Sequence, residues 1–241
     1  MALSEAPTAR KNQILAALPG TDLERLLPAL ELVPLILGEV IYETSSRQDH
    51  LYFPISGMVS RLYILNNGAS AEIAVTGNEG VIGIAVLTGG ETIANRTVVQ
   101  CAGYAYRLQE AIAKREFRAD GPLHRQLMRY VHALLTQMSQ TAVCNRHHSL
   151  EQQLCRWLLL SLDRIPSSEL IMTHELIANM LGVRRGGVTE AAVNLQAAEL
   201  IHYSRGHINI LDRAGLEARA CECYSIVRSE YDRLLCKEAP P

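Results

Sequence analysis

The sequence predicts an α+β protein in which an all-β N-terminal half, one long helix and a C-terminal helical region follow one another. Nine of the sixteen glycines lie between positions 38 and 103, where they separate short β-rich runs. After position 121, apolar residues recur every three or four positions over about 24 residues, the period of a helix. Further on, two short helical patterns joined by a glycine precede two alternating runs. We therefore expect three domains, at residues 1–120, 121–147 and 148–241.

The composition is that of a folded protein with no general affinity for polyanions. The chain has 241 residues, of which 48% are apolar and 20% charged, and a net charge of −2. Contact with nucleic acid must therefore come from a local basic surface. The apolar run at 81–87 is far short of the roughly 20 residues that span a bilayer, and the N-terminus lacks the apolar core of a signal peptide. We expect a cytoplasmic protein that does not enter the membrane, with its six cysteines as free thiols.

The first predicted elements are two short helices within residues 11–32. Apolar residues, Leu30 among them, follow helical spacing there, and Pro19-Gly20 interrupts the pattern. Thr21, followed three residues later by a glutamate, predicts a capping box at the start of the second helix.

Residues 38–108 form the β-rich part of the sequence. Asn66-Asn67-Gly68 lies between two alternating runs and predicts a hairpin. Short strands separated by turns every 8–12 residues indicate an antiparallel roll of the jelly-roll type. The predicted strands are 40–42, 51–53, 58–64, 71–75, 81–86, 97–100 and 104–108.

The helical segment at 121–147 is longer than most globular helices, and its apolar stripe is narrow, as in a coiled coil. The segment is interpreted as a dimerisation helix, although an ordinary core helix has the same pattern. The expected seam residues are Leu123, Leu127, Tyr130, Leu134 and Met138. His147-His148 follows as a solvated hinge, where protonation below neutral pH could bias the hinge. Ser149 then begins another helix, which ends near Pro166.

Residues 173–212 carry the pattern of a winged helix-turn-helix. Thr173 can cap a short helix that ends at Gly182, where glycine permits a left-handed turn. A second helix runs from about Arg184 to Ala198, and two alternating runs around Arg205-Gly206 form a hairpin. In such folds the second helix enters the major groove of DNA.

This segment resembles the C-terminal domain of the Crp/Fnr superfamily of transcription regulators. The matching positions of its two signatures are Thr173, Ile177, Ala178, Leu181, Gly182, Val183, Leu200, Ile201, Arg205, Gly206, Ile208, Ile210, Leu211 and Asp212. Gly38-Glu39-Val40 and Leu51-Tyr52-Phe53 with Gly57 resemble opening strands of the family's β-roll, so the resemblance covers about residues 12–217. It implies a homodimer that binds a two-fold symmetric DNA site and contacts RNA polymerase. A signal in the β-roll would repack the helical seam, although a regulator without a ligand fits equally well.

The resemblance also assigns the residues that contact DNA. Arg185 stands at the position of the family's guanine-contacting arginine, whose fork can pair with O6 and N7. Gly186 and Glu190 replace the usual glutamate and second arginine, so the target site should differ. Glu190 can accept from cytosine N4 or face Arg185. Gly186 and Gly187 weaken the helix by roughly 1 kcal/mol each, which makes sense if the backbone approaches DNA closely. Phosphate contacts are expected from Arg184, Thr189, Ser204, Arg205 and His207, with a weaker one from Asn194, and Thr173 is also counted among the DNA-binding residues.

Few residues of this sequence match the motifs with which the family binds its known cofactors. The glutamate that holds a cyclic nucleotide falls on Ile84, and the phosphate-binding arginine falls near Thr92 or Ile93, with Arg96 out of register. A buried cyclic phosphate would lack a partner, so cyclic AMP is not expected. An iron–sulfur centre is not expected either, because the first cysteine is Cys101. Haem remains open through His50, which we expect in a surface loop. No other cofactor is evident.

The C-terminal cysteines allow two interpretations. Cys221 and Cys223, with Cys236 beyond, suggest either a redox or metal cluster or free thiols on a C-terminal helix. A single intervening residue differs from the Cys-x₂-Cys loop of common zinc sites, which favours free thiols and no metal.

Two other functions compete with DNA binding. A cupin-like metal enzyme needs several histidines inside the barrel, and the β region has one. No nucleophile elbow, phosphate loop or HExxH helix occurs, so we expect no enzymatic activity. A dimeric sensor whose winged helix contacts only proteins is the other alternative, and Arg184-Arg185 argues against it.

Overall fold

The computed structural model describes residues 6–90, 92–165 and 167–235. Three short helices precede seven strands, and a helix follows the last of them. These elements are α1 Ala6–Ala9, α2 Gln13–Ala16, α3 Gly20–Leu26, β1 Leu30–Leu35, β2 Val40–Tyr42, β3 His50–Pro54, β4 Met58–Ile64, β5 Ser70–Thr76, β6 Arg96–Cys101, β7 Gly103–Gln109 and α4 Glu110–Arg118. Two 3₁₀ turns, Leu27–Ala29 and Ile84–Val86, lie between them.

The seven strands form two antiparallel sheets, ordered β1-β7-β3 and β2-β6-β4-β5. Leu51 lies opposite Leu108 in the first sheet, and Ser60 opposite Val98 in the second. Gly68, with φ of +83°, lies in the turn between β4 and β5, as the Asn-Asn-Gly sequence predicts. The predicted antiparallel β-roll is confirmed.

The N-terminal elements differ from the sequence prediction at three places. Leu30 begins β1 instead of ending a helix, because it pairs with Leu108 on β7. α3 begins at Gly20 after Pro19, and no side chain caps it, so the capping box at Thr21 does not form. The predicted strand 81–86 contributes only a bridge between Ile82 and Tyr52 before the chain enters a 3₁₀ turn.

The C-terminal half begins with a long helix and ends with another that returns along it. Its elements are α5 Pro122–His147, α6 Leu150–Leu162, β8 Glu169–Ile171, α7 His174–Leu181, α8 Arg185–Ala197, β9 Ile201–Ser204, β10 His207–Ile210, α9 Arg213–Arg219 and α10 Glu222–Leu235. Ser149 and Gln152 form a capping box at the start of α6, while α10 packs against α5. Within the described part of the chain, no helix is both long and apolar enough to cross a membrane.

The face of α5 that we predicted as a dimer seam lies inside the protomer. Leu123, Leu127, Tyr130 and Leu134 are buried in the protomer's own core, and only Met138 of the predicted set is partly exposed. The Tyr130 hydroxyl lies 3.0 Å from Thr76 Oγ1 on β5. These four residues therefore cannot form an exposed seam, because other elements of the same protomer, among them α10, β5, α4 and α2, pack against α5.

Polar groups join the β-roll to the C-terminal half. The Arg164 guanidinium, buried just after α6, donates from Nε to Glu79 Oε1 at 2.8 Å. Trp157 Nε1 on α6 donates to Glu72 Oε1 on β5 at 3.1 Å. Ser70 Oγ also donates to the carbonyl oxygen of Asn179 on α7 at 3.2 Å. α6 and α7 are thus held against one edge of the β-roll.

Candidate nucleic-acid interface

Helices α7 and α8 form a helix-turn-helix through local sequence signals. Thr173 Oγ1 accepts the Leu176 N–H at 3.2 Å and so caps α7. Gly182 ends α7 with φ of +68°, a left-handed conformation that glycine adopts without strain. The Val183 N–H then donates to the carbonyl oxygen of Ala178 at 3.0 Å and closes the turn.

Helix α8, the second helix of this pair, has one buried and one exposed face. Its buried residues are Val188, Ala191, Ala192 and Leu195. On the exposed face lie Gly186, Thr189, Glu190, Val193 and Ala197. Arg184 and Arg185 are exposed at the helix start, where no side chain caps the first amides. Free amides at a helix N-terminus can bind a phosphate oxygen.

The two glycines of α8 have different surroundings. A Cβ built at Gly186 meets nothing within 4 Å, whereas one at Gly187 would lie 2.7 Å from Leu150 Cδ2 on α6. Gly187 is therefore explained by close packing of two helices, contrary to our expectation that both glycines serve contact with DNA. Only Gly186 leaves the backbone bare on the exposed face.

The wing is a tight hairpin held against α8. Arg205 and Gly206 have φ of +49° and +86°, the positive values of the two-residue turn that suits twisted strands. The Tyr203 N–H of β9 donates to Gln196 Oε1 of α8 at 2.8 Å. Arg205 is exposed at the tip of the hairpin. This hydrogen bond fixes the wing relative to α8.

His174 is a site residue that the sequence reasoning missed. Its ring stacks on Tyr203 with centroids 3.9 Å apart, and its Nδ1 lies 3.0 Å from Thr189 Oγ1. Burial, together with the nearby Arg185 charge, lowers the pKa of His174, which favours the neutral ring. The sequence could have indicated His174, because it directly follows the capping residue Thr173 and lies on the inward face of α7.

Some of the residues predicted to contact DNA already have partners within the protein or lie beside the exposed face of α8. His207 Nδ1 lies 2.6 Å from Glu169 Oε1 on the neighbouring strand, so this imidazole already has a carboxylate partner. Asn194 Nδ2 lies 3.5 Å from Glu151 Oε2 on α6, at the flank of α8. Among the described residues, no ion pair joins Glu190 to Arg185, which lie five positions apart on α8 and not at the three- or four-residue spacing of facing side chains. Glu190 is exposed and so open to an external partner.

Comparison with known proteins agrees with this geometry. Residues 152–219 match the Crp-like helix-turn-helix domain family. Residues 152–219 thus form a Crp-like helix-turn-helix domain. The resemblance predicted from the sequence is thereby confirmed. Comparison with curated protein sequences returned no match.

Solved structures resemble the whole arrangement around the Crp-like domain. A Crp/Fnr-family transcriptional regulator from Thermus thermophilus shares 22% identity and a TM-score of 0.65, over 79% of this chain and 98% of that one. FixK2 from Bradyrhizobium japonicum shares 16% identity and a TM-score of 0.66, over 80% and 98%. The c-di-GMP-responsive regulator CLP from Xanthomonas campestris shares 14% identity and a TM-score of 0.65, over 80% and 100%. At these identities the likeness establishes the fold.

The β-roll next to the Crp-like domain has an apolar interior. Tyr42, Val59, Ile82 and Val99 are buried together between its sheets. Arg96, which lay out of register for a phosphate contact, is paired with Glu43 at 2.8 Å and partly exposed. These positions supply no buried guanidinium for a cyclic phosphate.

His50 is not in a surface loop, contrary to our expectation, because it is the first residue of β3. Its side chain is half-buried, and its Nδ1 lies 2.8 Å from Asp49 Oδ1. The Tyr42 hydroxyl also donates to the His50 carbonyl oxygen at 2.7 Å.

A group of possible metal ligands lies where α5 meets the Crp-like domain. Cys144, His148, Cys221 and Cys223 place their ligand atoms within 4.8 Å of one another, and we call them the Cys/His cluster. Burial raises the pKa of the Cys144 thiol and raises that of Cys223 to about 12. His148 thus belongs to a cluster rather than to a solvated pair, and the C-terminal thiols are not isolated. Cys236 lies outside the described residues.

Proposed function

We propose that this protein is a transcription regulator that binds a two-fold symmetric DNA site as a homodimer. The observation that carries the proposal is the exposed start of α8, where Arg184 and Arg185 lie beside uncapped helix amides. The chain as a whole has a net charge of −2, so an overall excess of basic residues does not account for the positive charge at this helix end. A DNA partner also implies a cytoplasmic location.

The contacts divide into those that read bases and those that position the protein. Arg185 reads guanine through its two parallel N–H donors, and Glu190 accepts from cytosine N4. Thr189 has its hydroxyl within reach of His174, which fixes its orientation on the exposed face. Phosphate contacts come from Thr173, Arg184, Ser204 and Arg205, with weaker contributions from Asn194 and His207.

The proposed dimer uses the exposed face of α5. Met128 and Leu135 are 45% and 58% exposed and stand seven residues apart, with Ala142 another seven residues on. Val131 and Met138 lie in the parallel row. Two such rows make the a and d positions of a coiled coil, so two copies can pair along this stripe. Paired recognition helices would then meet half-sites about 34 Å apart.

A signal, if one acts, enters through the β-roll domain at 1–120 and reaches the DNA-binding domain at 148–241 through the helix at 121–147. A cavity of about 560 Å³ lies between the β2-β6-β4-β5 sheet and α7, lined in part by Val98, Gln100, Leu176 and Met180. A ligand there would change the contact that holds α7. RNA polymerase is the partner that a regulator of this fold would recruit or block.

The first test is selection of binding sites from random duplex DNA with the purified protein at fixed salt. We expect a two-fold symmetric motif, relaxed at one position per half-site in Arg185→Ala, at a cost in affinity of about 1–3 kcal/mol. Arg118→Ala, an exposed arginine at the end of α4, is the matched control and should select the wild-type motif. Weak binding without sequence preference would indicate a missing signal, and no binding at any salt concentration would refute the proposal in favour of protein contact.

The dimer is tested separately by Leu135→Asp. We expect a charge in the apolar stripe to shift the protein from dimer to monomer in sedimentation experiments. Leu65→Asp is a matched control because Leu65 is 61% exposed and belongs to the turn between β4 and β5, not to α5. If both variants remain dimeric, the stripe on α5 is not the interface.

A further inference from the structure

The Cys/His cluster is built from two segments that are distant in sequence. Cys144 lies in the last turn of α5, and His148 is the residue at which that helix ends. Cys221 and Cys223 lie at the start of α10, 77 residues after Cys144 in the case of Cys221. All three thiols are at least 95% buried, and the four side chains fill one small volume.

The distances match the coordination sphere of a single ion. Cys144 Sγ lies 3.5 Å from Cys221 Sγ, and Cys223 Sγ lies 3.6 Å from His148 Nδ1. Two thiolates bound tetrahedrally to one Zn²⁺ at 2.3 Å would be about 3.8 Å apart. The two sulfurs are not joined as a disulfide, whose S–S bond is about 2.05 Å.

His148 has the second partner that metal-bound histidines commonly have. Its Nε2 lies 3.3 Å from Glu222 Oε1, while Nδ1 faces the thiols. A carboxylate on the far nitrogen fixes the tautomer, so the lone pair of Nδ1 points toward the ion. The cluster therefore has both a ligand set and the outer carboxylate that orients it.

A buried positive charge stands beside the thiols. Arg156 on α6 is 4% exposed, and its charge acts on the Cys144 sulfur. Its Nη1 donates to Thr141 Oγ1 at 3.3 Å, while its Nε has no partner among the described residues. The buried Glu72 carboxyl also feels the Arg156 charge, but no described carboxylate forms an ion pair with this guanidinium, so it can balance a negative group beside it.

We propose that Cys144, His148, Cys221 and Cys223 bind one Zn²⁺ as a closed, structural Cys₃His site. Binding replaces the three Sγ–H protons, which pass to the solvent, and no residue is oxidised or reduced. Zn²⁺ with three thiolates and a neutral imidazole has a net charge of −1, which the Arg156 guanidinium balances. The ion joins the end of α5 to the start of α10 at the point where the chain turns into the Crp-like domain. This site does not depend on the protein's binding DNA.

The test uses the full chain purified under reducing conditions without chelator. We expect a single equivalent of zinc per chain by elemental analysis, and Co²⁺ added to the metal-free protein should give the absorption of tetrahedral thiolate coordination, saturating at one equivalent. Cys223→Ala should abolish both signals. Cys155→Ala, an identical change at a buried thiol outside the cluster, should preserve them.

A further variant separates metal binding from folding. Glu222→Gln leaves all four ligands in place and should weaken zinc binding by about 10- to 100-fold, with an unchanged Co²⁺ spectrum. The proposal is overturned if natively folded wild-type protein, checked by circular dichroism, binds neither zinc nor Co²⁺. It is also overturned if Cys155→Ala loses the ion as completely as Cys223→Ala.

Discussion

Helix α8 and the end of α6 differ in how their arginines are paired. α8 carries exposed arginines, whereas the end of α6 carries a buried one that joins it to the β-roll. Arg184 and Arg185 are exposed and have no ion pair with any residue that the structure describes. Arg164, at the end of α6, is buried and bound to Glu79. Exposed charges contribute little to folding and remain free for a ligand, whereas a buried pair fixes one arrangement of two parts of the chain. The Crp-like domain is thus joined to the β-roll by a buried ion pair near α6, while the arginines of α8 remain exposed.

Breaking the buried pair should have the largest effect. Arg164→Met leaves the Glu79 carboxylate buried without its cation, and we expect a loss of about 3–5 kcal/mol in the free energy of unfolding. Urea denaturation measures this loss. Arg205→Met, the same change at the exposed tip of the wing, should stay within about 0.5 kcal/mol.

The double variant Arg164→Met with Glu79→Met sharpens this prediction. Because it removes both buried charges, most of the lost stability should return. If the double variant is as unstable as Arg164→Met alone, the ion pair is not what holds the two parts together.

A pH-dependent effect comes next, through Glu72. Burial raises the pKa of this carboxyl from 4.5 to about 7, although Ser60, Trp157 and the nearby Arg156 and Arg164 charges oppose the rise. Between these two pH values the folded state keeps a proton that the unfolded state has released. The free energy of unfolding therefore falls as pH rises through this window.

Glu72→Gln should remove that dependence. At pH 8 we expect the variant to be more stable than wild type by up to about 3 kcal/mol, and near pH 4.5 the two should be similar. Glu190→Gln on the exposed face of α8 is the comparison, with changes of about 0.5 kcal/mol or less at both pH values. Parallel pH profiles for wild type and Glu72→Gln, measured by thermal unfolding, would contradict the assignment.

The smallest effect distinguishes the two glycines of α8. Gly186→Ala meets open space, and we expect it to stabilise the protein by about 0.4–1 kcal/mol. Gly187→Ala must displace Leu150 Cδ2, which should cancel that gain. Chemical denaturation of both variants measures the difference. Equal stabilisation would show that α6 does not constrain α8 at this position.

The helix-turn-helix and its wing were predictable because their signals are local. Thr173, Gly182 and the Arg205-Gly206 turn each act within a few residues of their position in the chain. The β-roll was predictable for the same reason, since alternation and turn residues mark its strands. Leu30 was not, because its strand depends on pairing with Leu108, far along the chain.

The orientation of α5 and the Cys/His cluster could not be predicted from local signals. α5 has apolar residues on two sides, so Leu127 and Met128 fit a seam equally well until α10 and β5 cover one of them. Cys144 and Cys221 come together only because α10 folds back along α5. The spacing of Cys221 and Cys223 is therefore no guide to a site whose other ligands come from a distant helix.

The bare backbone at Gly186 bears on how many sites in a genome such a regulator would occupy. Each well-placed pair of hydrogen bonds to a base discriminates by about 1–3 kcal/mol. A glycine in place of a side chain that could make such a pair leaves that base unread, so each half-site carries less sequence information. Against the roughly 10⁶–10⁹ competing sites of a genome, a shorter recognised word occurs more often by chance. If α8 reads DNA as we propose, we therefore expect a regulator with many target sites.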